Sequence, residues 1–168
     1  MTYFYRGVVM YRFISIDNSV CTGCRECEVV CSLIHFGESN PARSAIRVIR
    51  KESNGITTAL PVVCQHCTEP LCIEACPIDA ISKDDKNNIL VVNREECIGC
   101  GNCIEACPAH CIIMDDVNNT PITCDLCGGD PQCVQLCHSA CLTLKEADDP
   151  SGNQRIHQLA EIMENEFL

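Results

Sequence analysis

The spacing of cysteine constrains this chain more than any other feature. Sixteen of its 18 cysteines fall into four groups, with Cys111 and Cys141 outside them. Each group holds four thiols in one rhythm: a gap of two residues, a gap of a few, then a gap of three. The first group is Cys21, Cys24, Cys27 and Cys31, and the third is Cys97, Cys100, Cys103 and Cys107, followed by Pro108. The second, Cys64, Cys67, Cys72 and Cys76 with Pro77, widens the middle gap by two residues, and the fourth, Cys124, Cys127, Cys133 and Cys137, widens it by three.

Three thiols in a tight loop can reach three corners of a cubic metal cluster, while a fourth on the following helix points toward a neighbour. The first and third spacings match the ligand runs of bacterial 4Fe-4S ferredoxins, in which the fourth cysteine of one group completes the cluster of another. Groups therefore work in pairs, and four groups imply two pairs. Zinc is the rival, because paired Cys-x2-Cys units make all-thiolate zinc sites. Such sites want two separated pairs, whereas here each group adds a third and fourth thiol at fixed offsets. The fourth group lies nearest to a zinc pattern.

Internal repetition separates ligands from bystanders. The hexapeptide Cys-Ile-Glu-Ala-Cys-Pro occurs at 72–77 and again at 103–108, so the second and third groups read as copies of one unit. Carrying the alignment on places Ala80, Cys111 and Cys141 at one equivalent position. A position that one copy fills with alanine needs no thiolate, so Cys111 and Cys141 are expected to be small buried fillers rather than ligands. Sixteen thiols remain, enough for four cubane sites.

Composition agrees with metal rather than disulfides. Removing cysteine from the 46% hydrophobic content leaves roughly 35%, and with no Trp the core is thin and needs cross-links. The first ten residues contain no long apolar run or small-residue cleavage site, and no stretch approaches a membrane span, so a reducing, cytoplasmic setting is expected. Met1 and Met10 both serve as candidate starts. The net charge of −11 and the absence of a basic stripe speak against nucleic acid.

The connectors set the fold class. Ala80–Lys83 and Ile89–Val92 flank a polar turn and read as a hairpin, and 112–115 with 121–123 repeat the pattern. Short helices are expected over the gaps of three. Residues 10–17 read as an opening strand and 45–50 as another; Arg43, Arg47, Arg50 and Lys51, on and around the latter, are expected to be a solvated face, with a docking strip as the alternative. After a breaker-rich stretch at 147–153, Ile156, Leu159, Ile162, Met163 and Phe167 mark an amphipathic helix that covers either its own domain or another subunit. Gly23, Gly99 and Gly101 are expected to let backbone amides approach the metal site. His66, His110 and His138 flank ligand loops and are expected to pack or hydrogen-bond there. No nucleophilic triad, phosphate loop or nucleotide fingerprint appears, so no independent enzyme is expected.

On these motifs the chain resembles the four-cluster iron-sulfur subunits of the dimethyl sulfoxide reductase and formate dehydrogenase beta-subunit type. Cys21-Thr-Gly-Cys-Arg-Glu-Cys, Cys64-Gln-His-Cys, Cys97-Ile-Gly-Cys-Gly-Asn-Cys and Cys124-Asp-Leu-Cys carry the resemblance over about residues 11 to 145. A finer likeness of residues 31–48 is to the small subunits that accompany tungsten enzymes of the aldehyde oxidoreductase family, including the benzoyl-CoA reductase branch. The resemblance implies an α+β fold of tandem bacterial-ferredoxin-like modules, nested, with short hairpins and short helices around the clusters. Residues 60–120 would form the inner module, 11–59 with 121–145 the outer one, and 146–168 a linker and amphipathic helix.

Four 4Fe-4S clusters are implied, on Cys21, Cys24, Cys27 and Cys137; on Cys64, Cys67, Cys72 and Cys107; on Cys97, Cys100, Cys103 and Cys76; and on Cys124, Cys127, Cys133 and Cys31. The last is the site some relatives alter, and His138 stands where a proline would follow Cys137. The implied role is a non-catalytic electron-transfer subunit serving a catalytic oxidoreductase subunit with a tungsten or molybdenum pterin, and in some relatives further electron-transfer subunits. A free polyferredoxin, or a hydrogenase- or CO dehydrogenase-associated ferredoxin subunit, is the alternative, with a zinc-stabilised interaction module behind it.

Overall fold

The computed structural model describes residues 11–84, 88–147 and 152–167. The candidate starts, the centre of the 84–88 turn and part of the breaker-rich stretch lie outside the described residues. Four two-stranded antiparallel sheets and a set of mostly very short helices make up the described residues. Strand β1 (Tyr11–Ile16) pairs with β8 (Leu142–Ala147), from Tyr11 opposite Ala147 to Ile16 opposite Leu142. Strands β2 (Ile46–Ser53) and β3 (Ile56–Val63) form a long hairpin, turned by Asn54 and Gly55 at positive φ. This is the Asn-Gly signature of a tight hairpin turn, in which both central residues are left-handed.

The expected hairpins between the later groups are present. They pair β4 (Ile81–Lys83) with β5 (Leu90–Val92), and β6 (Ile113–Asp115) with β7 (Thr120–Ile122). Each cysteine group feeds a helix, as expected: α1 (Glu26–Phe36), α2 (Leu71–Glu74), α3 (Asn102–Glu105) and α4 (Gln132–Gln135). Helix α1 alone is long, and it ends on Gly37 in the left-handed conformation, the usual helix stop. Helices pack across groups, α1 on α4 and α2 on α3.

One continuous core results, and cysteines fill much of it alongside Ile14, Ile46, Leu60, Val63, Ile112 and Leu126. Helix α5 (Gly152–Ile162) and the wider turn after it, Met163–Phe167, bury Ile156, Leu159, Met163 and Phe167 in that same core. The tail thus covers its own chain. Its start is pinned to the second cysteine loop: Glu69 N donates to Asn153 Oδ1 at 3.0 Å and Asn153 Nδ2 donates to Glu69 O at 3.1 Å. A Cβ on Gly152 would fall 2.8 Å from Cys67 Cα, so only glycine permits that approach.

Three arginines near β2 make specific bonds, while Arg50 and Lys51 keep the exposure of a solvated face. Arg43 grips the buried Asp115 of β6 in a fork, Nε to Oδ1 at 2.9 Å and Nη2 to Oδ2 at 2.8 Å, lies over the Phe36 ring and bonds Glu38. Arg47 donates to the His110 carbonyl and Arg50 to that of Gly23. A planar guanidinium suits such bidentate and carbonyl clamps. These bonds tie the first connector to the cysteine loops. Among the described residues no helix is long and apolar enough to cross a membrane.

Candidate metal centre

Each cysteine loop is shaped by a left-handed residue directly before its second cysteine: Gly23, His66, Gly99 and Leu126, with φ of 67°, 49°, 67° and 55°. That turn folds the loop so that its thiols converge. At Gly99 a side chain is excluded as well, since a Cβ would meet the Asn119 carbonyl oxygen at 2.7 Å. Gly101 has open space around it and needs only its φ of 80°. What these glycines provide here is turn conformation, and the same turn is reached at His66 and Leu126 without glycine.

A second repeated turn follows the last cysteine of three groups. Asp79, His110 and Ala140, each three residues on, are left-handed. The turn points the next amide back at the sulfur: Ala80 N donates to Cys76 Sγ at 3.2 Å, and Cys111 N to Cys107 Sγ at 3.3 Å. In the first group, where a long helix replaces this turn, Ala45 N donates to Cys31 Sγ at 3.4 Å instead.

All 18 cysteines are free thiols, and they gather across groups. One cavity, of about 320 Å³ with its mouth, is lined by Cys97, Cys100 and Cys103 of the third group and Cys76 of the second. Another of the same volume is lined by Cys124, Cys127 and Cys133 with Cys31 of the first. A third, of about 300 Å³, brings Cys67 and Cys72 together with Cys107, and Asn153, Ile156 and His157 of the tail close it. Cys64 lies beside the same three thiols. Around the first group, Cys141 lies beside both Cys21 and Cys137, and Cys27 lies beside Cys24.

Electrostatics show what these sets lack as bare thiols. Burial pushes Cys27, Cys72 and Cys133 up to about 12, with neighbouring thiolates (Cys133, Cys107 and Cys31 respectively) the next cause. Cys64 and Cys124 are raised further, again chiefly by burial. Four converging thiols that oppose one another's ionisation require a cationic centre to become thiolates, and metal binding reverses the local pKa order in this way. Apolar walls, backbone donors aimed at sulfur, and four thiols lining each of two cavities with three lining another fit iron-sulfur cubes.

The histidines are placed as follows. His66 is buried and neutral, held near 4 by burial and then by Lys83 and Arg155, and neither ring nitrogen has a hydrogen-bond partner among the described residues. His110 lends its carbonyl to Arg47, and His138 Nδ1 lies 3.3 Å from Glu26 Oε2. His35 has a role that attention to the loops alone does not reveal. Its Nε2 lies 3.6 Å from Cys127 Sγ and 3.5 Å from Asp125 Oδ1. The signal is its place four residues after Cys31, on the same face of α1.

Comparison with known proteins gives the class. The model of the 4Fe-4S dicluster domain family matches residues 56–147, more than half of the chain. The polyferredoxin-like subunit of an aliphatic sulfonate oxidoreductase from Pyrococcus furiosus is 44% identical over 128 residues, covering 76% of this chain and 72% of that protein. Subunit beta of an NADH-dependent phenylglyoxylate dehydrogenase from Aromatoleum evansii is 30% identical over 127 residues, 76% of this chain, which spans only 28% of that longer protein. Among solved structures, a chain of the BamBC active-site complex of benzoyl coenzyme A reductase with benzoyl-CoA matches at a TM-score of 0.51 and 26% identity, covering 94% of this chain and 91% of that one. The chain belongs to the 4Fe-4S dicluster family. It carries multiple 4Fe-4S clusters, and its relatives include a polyferredoxin-like subunit and other subunits of oxidoreductases, in agreement with the resemblance drawn from the cysteine motifs.

Proposed function

We propose that the chain is a four-cluster electron wire, built as residues 60–120 nested within 11–59 and 121–145, with 146–168 as linker and covering helix. Cys21, Cys24, Cys27 and Cys137 hold the first site, Cys64, Cys67, Cys72 and Cys107 the second, Cys97, Cys100, Cys103 and Cys76 the third, and Cys124, Cys127, Cys133 and Cys31 the fourth. A 4Fe-4S cluster supplies uptake and release of a single electron, and the protein's part is to space, insulate and tune the sites.

The observation that carries this reading is the electrostatic coupling between sets. Cys27 feels the charge of Cys133, Cys124 that of Cys64, and Cys72 that of Cys103. The sets therefore run in the row first, fourth, second, third. Exposure agrees, since Cys24 and Cys100, in the two terminal sets, are the exposed cysteines, while Cys31, Cys64, Cys72, Cys107, Cys124 and Cys133 of the two middle sets are buried. A row with wet ends and a dry middle suits entry and exit at opposite poles.

The named relatives act within complexes, and we assign this chain the same place, beside a catalytic subunit carrying a tungsten or molybdenum pterin, in the cytoplasm. Anaerobic preparation should yield about sixteen iron and sixteen sulfide atoms per chain, as four clusters require. Stoichiometric zinc without sulfide would sink the reading. Size-exclusion chromatography of the native complex separates an obligate subunit from a free polyferredoxin, which would elute alone.

A further inference from the structure

Cys111 and Cys141, the two thiols outside the sixteen, sit where the repeated turn brings a side chain beside a sulfur. The left-handed His110 and Ala140 swing the following residue back over Cys107 and Cys137. Cys141 Sγ lies 3.5 Å from Cys137 Sγ. Cys111, 2% exposed, has its own amide 3.3 Å from Cys107 Sγ, while its thiol's carbonyl acceptor, Ala109 O, stands at 3.9 Å. Ser139 Oγ adds a further contact, 3.7 Å from Cys137 Sγ, at a position where the sister copies have Ala109 and Ile78. In the remaining copy Ala80 presents only its amide to Cys76. The structure thus contains its own control.

We propose that Cys111 and Cys141 are positioning residues whose S–H groups donate hydrogen bonds to the ligand sulfurs of Cys107 and Cys137, raising the reduction potentials of the second and first sites. Each is more than the apolar filler that the alanine of the sister copy suggests. A donor on a ligand sulfur stabilises negative charge there, and the reduced cluster carries more of it, so the donor favours reduction. The side chains of Cys111 and Cys107 form a hydrogen-bonding pair, as those of Cys141 and Cys137 do. One site of each exchanged pair is therefore raised, while its partner, completed by Cys76 or Cys31, gains no such thiol.

This inference rests on the exchanged-ligand reading, and one experiment separates the two. The reconstituted full chain is titrated potentiometrically and followed by EPR, with iron determined in parallel. Cys111→Ala and Cys141→Ala should each keep all their iron and lower one midpoint by about a tenfold shift in the reduction equilibrium, 59 mV for one electron. Cys111→Ser and Cys141→Ser should restore it, and Ala80→Cys should raise the midpoint of the third site. Retained iron with unmoved midpoints, or an Ala80→Cys variant without effect, overturns the donor role. Lost iron in the alanine variants overturns it too, by making the thiols ligands. The exchanged-ligand reading fails separately, if Cys107→Ala retains the cluster whose midpoint Cys111→Ala shifts.

Discussion

The two halves of this chain build similar cysteine nests by opposite routes. The second and third groups are near copies joined by a short connector, with four-residue helices α2 and α3 and the three-residue hairpin β4–β5 between them. The first and fourth groups come from opposite ends of the sequence. They meet through α1 against α4 and through the pairing of Tyr11–Ile16 with Leu142–Ala147. Closing so long a loop costs conformational entropy before any contact repays it, whereas local pairs form cheaply. The difference teaches that the same ligand rhythm can be assembled locally or by distant segments, provided that packing replaces proximity. The outer half accordingly has the eleven-residue helix α1, the six-residue terminal ladder and the arginine clamps.

The sharpest break in this comparison is at the exchanged cysteines. Cys107→Ala should empty the second site, with about four irons lost, and should disturb the loop begun by Cys64 more than the one begun by Cys97. Cys137→Ala should do the same to the first site and leave the inner pair intact. Iron analysis with EPR spin counting checks both. Disturbance of the Cys97 loop by Cys107→Ala would reverse the assignment.

Next in size is the terminal ladder. Ile14 is fully buried in β1, opposite Leu144, and truncating a buried Ile to Ala costs about 2–5 kcal/mol. Ile14→Ala should release iron from the outer half on heating before the inner half, giving two steps in cluster absorbance. A single step at the wild-type temperature would show that the ladder does not support the outer sites.

A smaller effect tests the loop turns. Gly99→Ala places a Cβ against the Asn119 carbonyl and forces a left-handed alanine, a strain of about 1–2 kcal/mol before the clash. Gly101→Ala meets no atom and carries the conformational cost alone. Cluster-loss rates on mild chelation should therefore rise more for Gly99→Ala than for Gly101→Ala.

Much of the inner half is legible because its signals are local. The repeat fixed which loops match, and polar turns between β-branched runs marked β4 to β7. The outer half is less so. Strand β3 carries Pro61, which weakens a strand reading, although Asn54-Gly55 is a turn signal that identifies the hairpin. Strand β8 has its partner at the other end of the chain, and no local pattern declares such a pairing. The thiol sets follow from spacing and resemblance. The arginine clamps do not, because a guanidinium at a strand's start reads alike whether it meets water or a buried carboxylate. His35 needed the helical face shared with Cys31.

The clamp between the halves supplies the subtlest test. Arg43 belongs to the outer connector and Asp115 to β6, next to the third group's exit, so their fork couples the two routes of assembly. The Arg43 guanidinium holds the Asp115 carboxyl below its ordinary value of 3.8. A carboxylate whose folded-state pKa is depressed stabilises the fold fully above its unfolded value, and that contribution drains away as pH falls through the folded one. Asp115→Asn should therefore lose its clusters faster than wild type at neutral pH, and the gap should narrow only below about pH 3.8. Cluster-bleaching rates across that range measure it. A gap independent of pH would assign the role of Asp115 to its bonds with Val117 N and Asn118 Nδ2, leaving the two halves joined by packing rather than by charge.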